Sequence, residues 1–287
     1  MSLRSVAAAG LRRLPPQARL GLLHSLGRFA PWEVGFDVTP PALEPGEEAG
    51  PPDFVGIGVQ KAGTSWWYEL LVAHPSVSSR PGIHKERHFL SRFGTASFGP
   101  EQVAAYHGWF PRRPGTLAGE WTPDYLDFPW VPALLTLAAP QARLIVMVRD
   151  PVERFRSGMA HERRQGRAVT DAVVADAVAR GFYHRALTHW GALARPDRLL
   201  VLQYEQCAQD PAGQLARTYR FLGIDDAFVP PDLRRPVGVT TNDKAEMADD
   251  ARQRLVDAYR SDVAALAEQF PHLDLGLWPN FVPRPVS

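Results

Sequence analysis

The chain has 287 residues, 45% hydrophobic and 22% charged, with a net charge of +1. This is an ordinary globular composition, enough for one large domain or two small ones, with no global field to attract nucleic acid. A single cysteine, Cys207, excludes an internal disulfide, and no clustered His, Cys, Asp and Glu at ligand spacing point to a metal.

Residues 1–32 carry Arg4, Arg12, Arg13, Arg19 and Arg28, with no acid before Glu33. Their apolar runs are too short to span a bilayer, are broken by arginines, and lack a secretory cleavage pattern. The arm reads either as basic amphipathic helices on an anionic membrane or as a helical arm packed on the domain; a transit peptide is a third reading. The expected location is cytoplasmic, with peripheral membrane contact through the arm left open. Pro40, Pro41, Pro45, Pro51 and Pro52, mixed with Gly46, Glu47, Glu48 and Gly50, describe a linker or surface wrap. The chain is therefore expected to divide into an arm and linker over 1–52 and one domain over 53–287.

Phe54 to Val59 is a short apolar run with β-branched residues, the pattern of a strand buried on both faces. Gln60 to Ser65 brings small residues, a lysine and two hydroxyls, and Trp66 to Ala73 has helical apolar spacing. Strand, small-residue loop and helix together present backbone N–H groups and a positive dipole end to an anion. Gly58 and Gly63 have the spacing of the nucleotide loop G-x-x-x-x-G-K-[ST], but Thr64 stands where its lysine belongs and Lys61 lies inside the loop. The loop reads as a phosphate or sulfate cradle unsuited to an ATPase, or more plainly as a glycine turn with a surface lysine.

His74-Pro75 ends the helix, and a short strand is expected over 76–79. The segment His84-Lys-Glu-Arg-His-Phe-Leu90 places a carboxylate among cations, as an active-site segment or a charged strand edge. A strand over 116–121 leads into Gly119-Glu-Trp-Thr-Pro-Asp-Tyr125. Trp109, Trp121, Tyr125 and Trp130 crowd this region, either lining a sugar or lipid-sugar site or filling the core. Ala142 to Val148 is the most strand-like run in the chain, followed by Arg149-Asp-Pro151 and a helix with Ser157 two turns in. Arg154, Arg156, Arg163, Arg164 and Arg167 on that helix rim a cleft or solvate its face. A strand over 199–203, a helix over 212–222 closed by Gly223, and a long amphipathic helix over 249–270 with Leu255, Tyr259, Val263 and Leu266 on one face complete the pattern. Strands alternating with helices predict a single α/β domain with a parallel sheet of about five strands and helices on both faces.

Two of these stretches, QKAGTSWWYELLVAHPSV and RDPVERFRS, resemble those of sulfotransferases that use 3′-phosphoadenosine 5′-phosphosulfate (PAPS). The likeness is to the heparan-sulfate-type branch and its bacterial relatives, over roughly residues 54–278. It implies a P-loop-kinase-like fold, PAPS as co-substrate and no metal. It also implies that Lys61, Ala62, Gly63, Thr64, Ser65 and Trp66 hold the 5′-phosphosulfate, and that Arg149 and Ser157 hold the 3′-phosphate. Glu86 takes the position of the catalytic base and His88 that of a second active-site residue, with Arg87 where the family more often has proline. Trp121 replaces a lysine common in the family's Glu-Lys-[ST]-Pro-x-Tyr segment. Over 237–247 the family places a Lys-Gly-Arg cluster; here Lys244 stands as its substitute. The implied reaction is sulfuryl transfer to a hydroxyl, less often an amine, of a carbohydrate, glycolipid or other small acceptor. Two alternatives from other classes are a small-molecule kinase and a non-catalytic nucleotide-binding module.

Overall fold

The computed structural model describes residues 39–80, 82–193, 195, 197–233 and 246–282. The basic arm and Lys244 lie outside the described residues. The proline-rich stretch enters as a surface wrap: β1 (Glu48–Ala49) lies on the outside, and Glu44 and Glu47 both pair with Arg80.

β2 (Phe54–Gly58) is buried at all five positions, as its unbroken apolar run requires. Gly56 serves a packing purpose, because a Cβ there would lie 2.1 Å from the indole of Trp121. α1 (Thr64–Val72) follows the loop and buries Trp67, Leu70 and Leu71. After a 3₁₀ turn at Leu90–Phe93 come α2 (Pro100–Gly108), β3 (Pro111–Arg112) and β4 (Gly119–Trp121). β3 pairs antiparallel with β1. A second 3₁₀ turn, Pro123–Asp127, leads to α3 (Val131–Ala138) and β5 (Arg143–Val148). α4 (Pro151–Arg164) starts on proline and is capped by Asp150, whose carboxylate accepts from the N–H groups of Val152 and Glu153. α5 (Asp171–Ala179), α6 (Tyr183–Thr188), β6 (Leu199–Gln203), α7 (Tyr204–Gln209), α8 (Pro211–Leu222) and α9 (Asp249–Gln269) follow.

The main sheet is four-stranded and parallel, in the order β4-β2-β5-β6. From β2 the chain crosses to β4 on one side, then returns to lay down β5 on the other. The crevice outside the carboxyl ends of β2 and β5 is thus the switch point where open α/β sheets take ligands. The stretch at 76–79 contributes a single parallel rung, Val77 to Leu117, instead of a full strand. Gly82, at φ +83°, turns the chain three residues further on. On α9 the buried face is Val256, Tyr259, Val263 and Leu266; Leu255 is only half-buried.

The core settles the aromatic cluster. Trp121 and Tyr125 are fully buried, whereas Trp109 and Trp130 are half-buried. The Trp121 indole N–H donates to the Gly58 carbonyl at 3.0 Å, so this residue ties two strands together instead of facing an acceptor. Arg154, expected at a rim, is also buried, and donates to the Ala177 carbonyl. Among the described residues no helix is long and apolar enough to cross a membrane.

Candidate active site

The loop after β2 turns through two left-handed residues, Lys61 at φ 68° and Gly63 at φ 89°. Glycine is required at the second, where a Cβ would lie 2.7 Å from the Tyr204 ring. α1 begins at Thr64 without a side-chain cap. Its first N–H groups have no intrahelical partner and point out of the helix toward the crevice. Ala62 shapes the turn, its own N–H closing onto the Val59 carbonyl at 3.2 Å. Trp66 forms a wall: its indole donates to the Leu233 carbonyl at 2.9 Å and its ring packs edge-on against Tyr204.

Arg149, at the end of β5, meets this loop directly. Its Nη1 donates to the Lys61 carbonyl at 3.2 Å, and its guanidinium stacks over Tyr204 at 4.6 Å. Its Nε is buried without a protein partner. Ser157 is buried on α4, the helix that Arg149 leads into. Charges at the other end of α4 act on Lys61. Burial first, then the Arg164 charge, lowers the Lys61 ammonium to about 8, against the opposing pull of Glu162 and Glu86. His161 is lowered as well, by burial and then by the Lys61 charge.

The second half of the site runs beside β4. Trp121 N–H donates to the Lys85 carbonyl at 3.0 Å. Glu120 is fully buried and accepts from Tyr106 at 2.7 Å, Tyr125 at 3.1 Å and Thr122 at 2.5 Å. Its carboxylate and the Thr122 hydroxyl in turn accept from the Arg87 N–H, at 3.3 and 3.0 Å. A proline at this position would have no N–H to donate. The Arg87 substitution is thus built into the backbone network, and the next residue, His88, takes φ +49°.

On this support the side chains form a row of alternating charge. Lys85 Nζ donates to Thr64 Oγ1 of the loop at 3.1 Å and lies 2.9 Å from Glu86 Oε1. Glu86 Oε2 is 3.2 Å from His88 Nε2, and His88 Nδ1 is 3.1 Å from Asp124 Oδ2. Burial works to raise the Glu86 carboxyl, but His88 and Lys85 together outweigh it and hold the group down at about 2. The hydrogen bonds to Asp124 and then Glu86 lift His88 to about 10 despite its burial. Burial lowers Lys85.

The structure therefore brings Lys61, Gly63, Thr64, Ser65, Trp66 and Arg149 to one crevice, and places Glu86 and His88 beside it through Lys85. Three participants carry no assigned role in the sequence motifs. Lys85 stands there only as a neighbour of Glu86. Glu120 and Asp124 lie in the Glu-Lys-[ST]-Pro-x-Tyr-like segment, but their contacts to Arg87 and His88 span more than thirty positions.

A parallel sheet with an uncapped βα loop at its switch point and an arginine from the next strand defines a P-loop-like fold. Residues 51–232 match the family described as the sulfotransferase domain, and the chain belongs to that family. It is 31% identical over 191 residues to human heparan sulfate glucosamine 3-O-sulfotransferase 3B1, covering 60% of this chain and 46% of the relative. It is 25% identical over 198 residues to human bifunctional heparan sulfate N-deacetylase/N-sulfotransferase 3, covering 60% of this chain and 22% of the relative. The chain thus spans about half the length, or less, of these curated relatives. Among solved structures, a sulfotransferase from Alicyclobacillus acidocaldarius superposes with a TM-score of 0.64 at 24% identity, over 79% of this chain and 98% of that one. The sulfotransferase domain of the Synechococcus PCC 7002 olefin synthase shares the fold, with a TM-score of 0.50 at 19% identity, over 82% and 100%.

Proposed function

We propose that the chain transfers a sulfuryl group from PAPS to a hydroxyl of a carbohydrate, glycolipid or other small acceptor, an amine being the lesser candidate. The observation that carries this reading is Lys85, which joins the hydroxyl of Thr64 in the anion loop to the carboxylate of Glu86. Donor cradle and base thereby share one space. The names of the two human relatives, one a 3-O- and one an N-sulfotransferase, support both acceptor types.

The residues present fit a doubly anionic nucleotide. The uncapped N–H groups from Gly63 to Trp66, with Lys61, would hold the phosphosulfate. Arg149, with its orphaned buried Nε, and Ser157 would hold the 3′-phosphate. Lys244 stays part of this proposal, although it lies outside the described residues. PAPS, when bound, supplies a sulfuryl group activated by a phosphate leaving group. The bond from acceptor oxygen to sulfur forms, the bridging S–O bond breaks, and its electron pair stays on the phosphate. Lys61 and the loop N–H groups offset that growing charge. The acceptor proton passes to Glu86. A carboxylate held near 2 is a weak base, so it takes the proton once bond formation has made the acceptor oxygen acidic.

Two measurements test this. Adenosine 3′,5′-bisphosphate, and not ATP with magnesium, is expected to raise the melting temperature. Incubation with PAPS and a panel of sugars, glycolipids and phenols is expected to yield one acceptor heavier by a sulfate in mass spectrometry. Stabilisation by ATP instead would turn the reading toward a kinase, and binding without turnover toward a nucleotide-binding module.

A further inference from the structure

Asp124 sits in the 3₁₀ turn after β4, at the unspecified x position of the Glu-Lys-[ST]-Pro-x-Tyr-like segment, yet both its oxygens are engaged at the site. Oδ2 is 3.1 Å from His88 Nδ1, and Oδ1 accepts from the Ser91 hydroxyl at 3.2 Å. The other imidazole nitrogen, Nε2, is 3.2 Å from Glu86 Oε2. A neutral imidazole has one donor and one acceptor nitrogen, whereas an ionised carboxylate only accepts. With a carboxylate at each nitrogen, both must donate, and the ring carries a proton on each. His88 is also fixed through its backbone, at a positive φ and with its N–H donating to Thr122 Oγ1 at 3.3 Å.

We propose that Asp124 is a positioning residue for sulfuryl transfer: it holds His88 as a doubly protonated bridge that fixes the Glu86 carboxylate beside the anion loop. The proposal rests on the reading of Glu86 as the base. It removes His88 from the candidates for that role, since a ring protonated on both nitrogens has no lone pair free to take a proton. The charged groups around the bridge agree with it. Lys85 lies on the far oxygen of Glu86, so cation, anion, cation and anion alternate from Lys85 to Asp124. Beyond Asp124, Asp127 is neutralised by Arg180 at 2.7 Å, and both lie within electrostatic reach of Asp124. Loss of the Asp124 charge would leave Glu86 to satisfy two cations alone. His88 would then lose its proton more readily, turn an acceptor nitrogen toward one of its partners, and release Glu86 from its orientation.

The test uses the full chain with isotope-labelled histidine, the His88 signal being assigned by its loss in His88→Gln. Asp124→Asn is expected to lower the proton affinity of His88 by about tenfold or more, the scale set by losing one adjacent opposite charge. Single-turnover sulfate transfer in that variant should fall on the order of tenfold in the alkaline range and recover as the pH is lowered and His88 is reprotonated. Asp124→Glu should restore both readouts in part, and adenosine 3′,5′-bisphosphate affinity should be unchanged throughout. Should Asp124→Asn fold poorly, the wild-type chain carries the test: imidazole nitrogen shifts are expected to show His88 protonated on both nitrogens at about pH 8, well above the ordinary histidine value. An unchanged His88 titration in Asp124→Asn, or a singly protonated His88 at that pH in the wild-type chain, overturns the proposal. Absence of transfer by the wild-type chain to any acceptor, with the His88 titration still falling in Asp124→Asn, would count against the sulfuryl-transfer reading and leave the bridge standing.

Discussion

The two halves of the site solve opposite problems. The anion loop is made of backbone: its donors are N–H groups at an uncapped helix start, its geometry comes from Lys61 and Gly63 in left-handed conformations, and Arg149 keeps one buried N–H without a partner. It is built open, with hydrogen-bonding capacity left for a ligand. The segment beside β4 is made of acidic and basic side chains that already pair with one another, from Lys85 through Glu86 and His88 to Asp124, with two buried nitrogens of Arg87 left unpartnered. It is built closed, so that the charge state of Glu86 is set before any substrate arrives. Substitutions in the first half should therefore register in nucleotide binding, and those in the second in the chemical step alone.

The sharpest way to break this division is Glu86→Gln. The substitution keeps size and reach but removes the base, so transfer is expected to fall about 100- to 10,000-fold, the range for a positioned general base. Calorimetry with adenosine 3′,5′-bisphosphate should show near-normal affinity. Intact transfer in this variant would remove Glu86 from the mechanism, and a matching loss of affinity would mean that the two halves are not separable.

Lys61→Ala comes next, and it tests the border between the halves. Lys61 belongs to the open loop but is expected to act most strongly as the leaving phosphate gains charge, with a loss on the order of 100-fold in turnover. Near-normal turnover would place the lysine outside the reaction. Arg149→Ala should instead weaken nucleotide binding by about 10- to 100-fold, the loss of one charge-assisted contact, while the single-turnover rate at saturation changes little. Loss of discrimination between PAPS and an analogue lacking the 3′-phosphate is the signature to look for. Discrimination as strong as in the wild type would unseat Arg149 from that phosphate.

The same contrast explains what could be read from the sequence. The open half rests on local signals: an apolar run for β2, small residues in the turn, and helical spacing after it, all contiguous between Phe54 and Val72. The strand expected at 142–148 appears at Arg143–Val148 and the one expected at 199–203 appears at those bounds, because runs buried on both faces need no partner to declare themselves. The closed half depends on who lies opposite whom. The pairing of His88 with Asp124 spans 36 positions and joins two segments of irregular backbone. The rung at Val77 could not become a strand, since its ladder depends on an edge neighbour and not on its own residues. Trp121 sits in a cleft motif by sequence but in the core by structure, and the reason lies across the sheet, in the space left by Gly56. Arg87 in place of proline looked like a break in the motif, whereas its N–H is one of the bonds holding the segment.

The smallest effect concerns protons taken up by the open half. Lys61 is held at about 8 in the free chain by burial and the Arg164 charge. A bound phosphate or phosphosulfate beside it would favour the ammonium and raise its value again. At pH near 8 about half of the free molecules carry the proton on Lys61, so binding adenosine 3′,5′-bisphosphate should draw in up to about half a proton per site. The sign follows directly: affinity is highest below 8, where the ammonium is already present, and declines as the pH rises through and above that value. Calorimetric titrations at this pH in two buffers of different ionisation enthalpy measure the uptake as the difference in observed heat. Lys61→Met should abolish the difference, and Glu86→Gln should increase it slightly, since the carboxylate is one of the groups that favour the charged lysine and its loss leaves more of the free chain to be protonated on binding. Equal heats in the two buffers for the wild-type chain would mean that the ligand does not reach Lys61, and the loop would then be open to something other than the phosphosulfate.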